Sequence, residues 1–373
     1  MENDPLFKPL RLGALKLKHR VVMPPLTRMR SKQPGNIPYA LNAVYYGQRA
    51  SDGGLLITEA TDINPQAHGY NWVPGVYTPE QIEGWKAVTA AVHAKGGMIV
   101  NQIWHVGRVS HTSLQPDGIL PVAPSAIPAT GQIYTSEGQQ VPFETPRALE
   151  LAEIDAIRAD FVQAALNARA AGFDAVEIHG ANGYLIDQFL HDASNKRTDQ
   201  YGGPIENRAR FLYEVVDAVT AVIGADRVGV RLSPWSNLLG MEDSDGVALW
   251  ESVIAGLGKR NLAYLHLIEP RADFTDDESP LDMDAPDVAS MFKKTFGGPI
   301  ISAGGFQPST ARAAIASGNS DAVAFGRPFI ANPDLPERLR RHAPLNQPVR
   351  DTFYGGGAEG YTDYPTLDQV AAE

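Results

Sequence analysis

Val21-Val22-Met23-Pro24-Pro25-Leu26-Thr27, residues 21–27, is the stretch that decides the fold class. Its apolar residues run almost continuously as far as Leu26, as expected of a parallel strand that is covered on both faces. A doubly wound open sheet would place a glycine-rich nucleotide-binding turn directly after its first strand. Pro24-Pro25-Leu26-Thr27 stands there instead, so the segment favours a closed barrel over an open sheet.

Seven further apolar runs of strand length follow, separated by amphipathic stretches. With Val21–Leu26, the predicted strands are Leu55–Glu59, Met98–Ile103, Ala175–His179, Val228–Leu232, Tyr264–Ile268, Ile300–Ala303 and Ala322–Phe325. Eight strands alternating with helices predict an α/β fold, a (β/α)8 TIM barrel with parallel pairing, occupying residues 1–373 as one domain.

Helices are predicted in the gaps by apolar residues at helical spacing. One carries Ile154, Ile157, Phe161, Ala164 and Ala168 and ends near Gly172. Another opens at Pro204 and presents Phe211, Val215, Val219 and Val222 on one face. The remaining predicted helices are segments 80–94, 246–257, 286–295, 308–317 and 333–341.

One connection is too long for a simple loop. Residues 105–150, after the third strand, are rich in Gly, Pro, Ser and Thr, and a connection of that size in a compact domain is typical of a functional lid. A disordered insertion is the alternative. The tail from Thr352, with Tyr354-Gly355-Gly356-Gly357, is expected to return over one mouth of the barrel.

Composition excludes several classes of function. The net charge of -11 argues against nucleic acid or an anionic membrane as a main partner. The absence of cysteine excludes disulfides, thiolate metal sites and cysteinyl-flavin links. The acidic start at Met1 does not resemble a signal peptide, and no apolar run approaches the ~20 residues of a membrane helix, so a cytoplasmic protein is expected.

In a barrel of this kind, polar residues at the carboxyl ends of the strands form the active site. No lysine lies in the eight strands, which disfavours a Schiff-base aldolase. Carboxylates do not cluster, which disfavours a metallohydrolase, and no metal site is expected.

The last two strands are followed by Gly304-Gly305 and by Gly326-Arg327-Pro328, at the place where such barrels commonly bind phosphate. Glycine lets backbone N–H groups approach phosphate oxygens, and arginine adds a forked charged donor. A pair of tight turns is the alternative interpretation of the same residues.

Other strand ends carry hydrogen-bonding side chains. Arg231 and Gln102 suit the polar edge of a heterocycle, although a structural ion pair or a buried amide is also open. His179 and Asn182 are placed to polarise one oxygen atom of a substrate, with Tyr184 as a nearby proton donor. A core histidine and a turn-forming Asn-Gly are the alternative.

These runs together resemble the Old Yellow Enzyme family of FMN-dependent ene-reductases. The similarity extends from Leu6-Phe7-Lys8-Pro9-Leu10 to Arg327-Pro328. Its most telling motif is His179-Gly180-Ala181-Asn182-Gly183-Tyr184-Leu185, which continues through Asn195-Lys196-Arg197-Thr198-Asp199 to Glu206-Asn207-Arg208. Thr27 stands where one bacterial branch carries cysteine, so the chain resembles the branch that keeps threonine.

The resemblance implies roles residue by residue. Non-covalent FMN would be contacted along its ring and ribityl chain by Pro25, Thr27, Ala60, Gln102 and Arg231, and its phosphate by Gly305, Gly326 and Arg327. The substrate oxygen would be bound by His179 and Asn182, with Tyr184 as the proton donor. The substrate pocket would be lined by Tyr70, Trp104 and Tyr354, and segment 270–283 departs most from the family.

The implied reaction is ping-pong. NADPH or NADH reduces the flavin, and an α,β-unsaturated carbonyl or nitro compound then takes hydride from flavin N5 and a proton from Tyr184. Reduction of nitrate esters or nitroaromatics by the same flavin is an alternative, and a non-catalytic flavin-binding or sensor barrel is another. A monomer or a homodimer is expected.

Overall fold

Eight parallel strands close into a barrel in the computed structural model, which describes residues 4–271, 282 and 284–370. In chain order the barrel strands are β1 Val21–Met23, β2 Leu55–Ile57, β3 Met98–Trp104, β4 Ala175–His179, β5 Val228–Leu232, β6 Tyr264–Ile268, β7 Ile300–Ala303 and β8 Ala322–Ala324. Each pairs with the next, β8 pairs with β1, and β3 pairs with β4, so the sheet has no free edge. The predicted TIM barrel is confirmed.

Helices connect the strands and pack around the outside. They are Ala40–Arg49, Pro79–His93, Leu151–Ala170, Leu185–Leu190, Ile205–Arg208, Arg210–Ile223, Val247–Gly258, Val288–Phe296, Pro308–Ala316, Gly326–Ala331, Leu335–Arg341 and Leu367–Val370. None of the helices in the described part of the chain is long and apolar enough to cross a membrane.

Several predicted boundaries are corrected. The first strand ends at Met23 instead of Leu26, and the helix expected to open at Pro204 is broken at Ala209. Val222 was expected on the buried face of that helix, but its side chain is 43% exposed, because the helix ends one residue later at Ile223. The helix Ala40–Arg49 was not predicted.

The insertion at residues 105–150 is ordered, so the alternative of a disordered segment is wrong. It contains an antiparallel hairpin, Gln132–Tyr134 with Gln140–Pro142, and a short parallel pair, Val122–Ala123 with Arg147–Ala148. The buried guanidinium of Arg108 donates to the carbonyl oxygens of Ile127 and Leu239, which ties the insertion to the loop after β5.

The two ends of the barrel differ in their packing. An antiparallel hairpin, Leu10–Leu12 with Leu15–Leu17, packs its leucines into the apolar barrel interior and closes the amino-terminal end of the strands. The tail returns over the opposite end, as predicted: Arg28, which follows β1, donates to the carbonyl oxygens of Phe353 and Gly360. The hairpin therefore covers the amino-terminal end of the strands, and the tail lies at their carboxyl end.

Candidate active site

Apart from Tyr354, which belongs to the tail, the predicted site residues lie at the carboxyl ends of the barrel strands or in the segments that follow them. His179 is the last residue of β4 and pairs in register with Arg231 of β5. Gly305 and Arg327 follow β7 and β8 at the same end. The candidate catalytic and phosphate-binding residues therefore share one mouth.

His179 is buried and neutral. Burial lowers its pKa well below the usual range, and the nearby charge of Arg231 lowers it further. Its Nδ1 atom accepts a hydrogen bond from the backbone N–H of Ala181 at 3.3 Å. A neutral imidazole that accepts at Nδ1 must carry its proton on Nε2, so His179 presents an N–H donor to any substrate.

Asn182 lies in the turn that follows β4. Its φ of +57° is left-handed, a conformation that asparagine tolerates better than most residues, and its backbone N–H donates to Ser233 Oγ at 2.8 Å. Its side-chain amide has no hydrogen-bond partner among the described residues, and the residue is only partly buried. Both features leave this amide available to a ligand.

The turn that joins Asn182 to Tyr184 is fixed from the following helix. Asp187 Oδ2 accepts the backbone N–H of Gly183 at 2.9 Å, and the amide of Gln188 donates to the Gly183 carbonyl at 2.7 Å. Gln188 also donates to the carbonyl of Val106, in the insertion. The candidate substrate-binding turn is therefore held by two buried side chains that sequence reasoning did not single out.

Tyr184 and Tyr70 form a hydrogen-bonded pair. Their hydroxyl oxygens are 3.0 Å apart, and Trp104 packs edge-to-face on Tyr184 with ring centroids 4.5 Å apart. Burial raises the pKa of Tyr184 well above its usual value and that of Tyr70 to about 12. Both phenols therefore keep their protons across the neutral pH range.

Trp104 is a core residue that also contacts the rings of His179 and Tyr184. It is 1% exposed, it stacks on His179 with ring centroids 5.8 Å apart, and its indole N–H donates to Asp62 Oδ1 at 2.7 Å. Asp62 also binds His68 at 2.6 Å. Sequence reasoning missed Asp62. Tyr354 is 65% exposed, so it lies at the outer rim.

Gln102 and Arg231 lie on the inner wall, below the mouth. Gln102 donates through Nε2 to the buried Glu177 at 2.8 Å. Arg231 is 7% exposed and its Nε atom has no hydrogen-bond partner in the described residues. A buried N–H group without a partner is costly in isolation, so Arg231 fits an acceptor-rich heterocycle such as the pyrimidine edge of a flavin.

The opposite side of the mouth suits a phosphate. Gly304 and Gly305 have φ of +119° and +63°. A Cβ at Gly304 would come within 2.8 Å of the Glu269 carbonyl oxygen, so only glycine fits there. Gly326 begins a helix, and Arg327 follows it; both are partly exposed at this mouth.

The remaining predicted contacts flank the mouth near β1 and β2. Pro25 and Thr27 are partly buried, and Ala60 is 2% exposed. Beside them, Glu59 accepts the backbone N–H groups of Arg28 and Met29. Burial raises the pKa of Glu59 to about 7.

Most of segment 270–283 lies outside the described residues. No group of three or more metal-ligating side chains occurs in the part of the chain that the structure describes. The expected role of residues 105–150 as a lid stays a prediction.

The family model "NADH:flavin oxidoreductase / NADH oxidase family" matches residues 5–346. The chain is 48% identical over 371 residues to 12-oxophytodienoate reductase 1 of Oryza sativa subsp. japonica, covering 99% of this chain and 95% of that protein. It is 46% identical over 371 residues to 12-oxophytodienoate reductase 2 of Arabidopsis thaliana, covering 99% and 98%.

Two solved structures of relatives have the same fold as this chain. A morphinone reductase in complex with tetrahydroNAD superimposes with a TM-score of 0.90 and 51% identity, covering 98% of each chain. A second morphinone reductase structure gives a TM-score of 0.91 at 51% identity, covering 98% of this chain and 97% of that one.

Proposed function

The chain belongs to the NADH:flavin oxidoreductase / NADH oxidase family, the Old Yellow Enzyme family, and from that premise we propose how its residues divide the work of the reaction. It is an FMN-dependent NAD(P)H oxidoreductase of the ene-reductase type. The resemblance recognised in the sequence is thereby confirmed, and the sensor alternative is set aside. We propose that its substrates are α,β-unsaturated carbonyl or nitro compounds with an activated C=C bond.

One observation carries the substrate assignment. Two uncharged donors, the Nε2–H of His179 and the amide of Asn182, lie at the end of the same strand and in the turn after it, and neither has another hydrogen-bond partner in the described residues. Donors in a water-poor pocket stabilise negative charge that develops on a carbonyl or nitro oxygen. Because His179 stays neutral, it withdraws electron density from the substrate through a hydrogen bond without protonating it.

FMN fits the remaining residues. Arg231 and Gln102 would bind the pyrimidine edge, Thr27 and Ala60 would flank the ring beside Pro25, and the glycines and Arg327 after β7 and β8 would bind the phosphate. When bound, the flavin supplies the redox chemistry, accepting hydride from a nicotinamide and delivering hydride to the activated alkene.

Tyr184 would hold the proton that the substrate α-carbon receives. Its hydroxyl stays protonated because burial raises its pKa. Such an acid transfers its proton only when the acceptor carbon has become strongly basic, which happens once negative charge has built up on the substrate. The Tyr70 hydroxyl lies 3.0 Å from the Tyr184 oxygen, so it is placed to donate a hydrogen bond to the phenolate that forms once Tyr184 has given up its proton.

The relatives favour a ketone as the activating group, since the names 12-oxophytodienoate reductase and morphinone reductase both denote ketones. The tetrahydroNAD bound to one relative supports a nicotinamide as the reductant. We propose NADPH or NADH in that role, and a monomer or homodimer as the working unit.

A two-stage stopped-flow experiment tests the proposal. Purified protein is expected to be yellow, to release FMN and not FAD on denaturation, and to be bleached by NADPH or NADH without oxygen. Reduced protein is then mixed with 2-cyclohexenone or with a nitrate ester. Faster reoxidation by the enone supports the proposal; reoxidation by the nitrate ester alone favours the alternative reductase, and flavin-free protein defeats both.

A further inference from the structure

Glu177 is a fully buried carboxylate inside the barrel, two residues before His179 on the same strand. It is 0% exposed. Its Oε1 atom accepts from Gln102 Nε2 at 2.8 Å, and its Oε2 atom is 2.9 Å from Nδ1 of His266. In register it lies opposite Gln102 on β3 and Gly229 on β5.

The space around this carboxylate is occupied by protein. A Cβ at Gly229 would come within 2.3 Å of the Tyr264 ring, so the glycine at this position lets that ring cross the barrel interior beside Glu177. The hydroxyl of Tyr264 is buried, and burial together with Glu177 raises its pKa well above its usual value. Tyr264 therefore stays neutral.

Glu177 is ionised although it is buried. Burial alone would raise its pKa, but His266, Arg231 and the amide of Gln102 together lower it. Burial lowers the pKa of His266, so its ring is neutral and donates from Nδ1, and its Nε2 atom is buried with no partner among the described residues. The inner wall thus carries the negative charge of Glu177 near the positive charge of Arg231.

The ionised carboxylate determines which way the Gln102 amide faces. A carboxylate without a proton can only accept hydrogen bonds, so the NH2 group of Gln102 must point to it. The Oε1 atom of Gln102 then faces the other way, and no described residue donates to it. This leaves a carbonyl-type acceptor at the place where the pyrimidine edge of the flavin is proposed to lie.

We propose that Glu177 is a positioning residue for the flavin: it presents Gln102 Oε1 as an acceptor for a ring N–H, and its charge offsets part of the charge of Arg231. This inference rests on the proposed placement of the flavin. An uncompensated Arg231 would stabilise a negatively charged reduced ring more strongly, so Glu177 holds the reduction potential of the flavin down. An ionised carboxylate is costly to bury, and a neutral side chain of similar size would be cheaper if packing were its whole role.

The test is the isosteric variant Glu177→Gln, with Glu177→Asp as the matched control. The first removes the charge, and the second keeps the charge but withdraws the carboxylate from Gln102 by one methylene. Two quantities are measured for each holoenzyme: the midpoint potential of the flavin, by anaerobic dye equilibration, and the dissociation constant of oxidised FMN, by fluorescence.

For Glu177→Gln we expect the reduced flavin to be favoured about tenfold more than in the wild type, equivalent to about 30 mV in a two-electron couple. For Glu177→Asp we expect a nearly unchanged potential and about tenfold weaker binding of oxidised FMN, because one hydrogen bond to the ring loses its orientation. A merely structural carboxylate would lower the stability of both variants and leave the potential unmoved.

The outcomes separate this inference from the proposed function. A wild-type protein that is flavin-free or is not reoxidised by enones refutes the function. A wild type that works, with an unchanged potential in Glu177→Gln, overturns the inference alone. Should Glu177→Gln fail to fold, Glu177→Asp decides, and FMN binding as tight as in the wild type overturns the role assigned to Glu177.

Discussion

Replacing Tyr184 by phenylalanine removes the proposed proton donor and little else. The ring keeps its edge-to-face contact with Trp104, whose centroid is 4.5 Å away, and only the hydroxyl is lost. A positioned general acid contributes about 10²- to 10⁴-fold to a rate. Tyr70 keeps a hydroxyl about 3.0 Å from the vacated position and can pass a proton less directly, so we expect the lower end of that range.

The assay follows reoxidation of the reduced enzyme by 2-cyclohexenone under anaerobic conditions. Tyr184→Phe is expected to slow this step about 10²-fold, or about 2.7 kcal/mol in activation free energy, and to leave reduction by the nicotinamide unchanged. Tyr70→Phe is the matched control. It removes one neutral hydrogen bond to Tyr184, worth about 0.5–1.5 kcal/mol, so a loss of about 2- to 12-fold is expected.

Full reoxidation activity in Tyr184→Phe would refute this role. A loss that is equal in the nicotinamide and enone steps would refute it as well, because it would indicate damage to the flavin site instead of a missing proton.

Two further predictions concern pH. Burial holds the pKa of His179 well below its usual value and raises the pKa of Tyr184 well above its own. The rate of reoxidation by enone is therefore expected to be flat from about pH 6 to 9. A titration of either residue within that interval would contradict the roles of His179 as a neutral donor and Tyr184 as a protonated acid. Glu59 has a pKa of about 7 in the folded protein against 4.5 ordinarily, so its contribution to stability is complete below pH 4.5 and is lost as the pH rises through 7. That loss is about 3 kcal/mol of unfolding free energy, at about 1.4 kcal/mol per pH unit. Chemical denaturation at pH 4.5 and 7.5 should show a smaller fall in the unfolding free energy of Glu59→Gln than in that of the wild type. An equal fall in both would mean that Glu59 is not its source.

Much of the fold was predictable from the sequence because parallel barrel strands are buried on both faces. The runs Ala175–His179, Val228–Leu232, Tyr264–Ile268 and Ile300–Ala303 match the observed strands residue for residue. Strands β1 and β8 are shorter than predicted, because Leu26 and Phe325 continue the apolar pattern beyond the last residues that pair in the sheet. The helix Ala40–Arg49 was missed because its apolar positions are interrupted by polar residues such as Asn42 and Gln48.

The site was predictable where its residues fall at strand ends, and not where side chains meet across the barrel. Glu177 and His266 lie on different strands and contact each other only once the barrel closes, so no local pattern brings them together. Asp187 holds the Asn182–Tyr184 turn from within an unremarkable short helix. A carboxylate inside a buried apolar strand was the one available signal for Glu177.

Titration with a simple phenol tests the central claim most directly, since a bound phenolate places one negatively charged oxygen where the substrate oxygen is proposed to lie. Each hydrogen bond to a charged oxygen is worth about 1.5–3 kcal/mol, so His179→Ala combined with Asn182→Ala should raise the phenol dissociation constant at least about 100-fold, read from the flavin absorbance of the holoenzyme. Each single variant should lie between the wild type and the double variant. An unchanged dissociation constant in the double variant, with FMN still bound, would remove His179 and Asn182 from the substrate site.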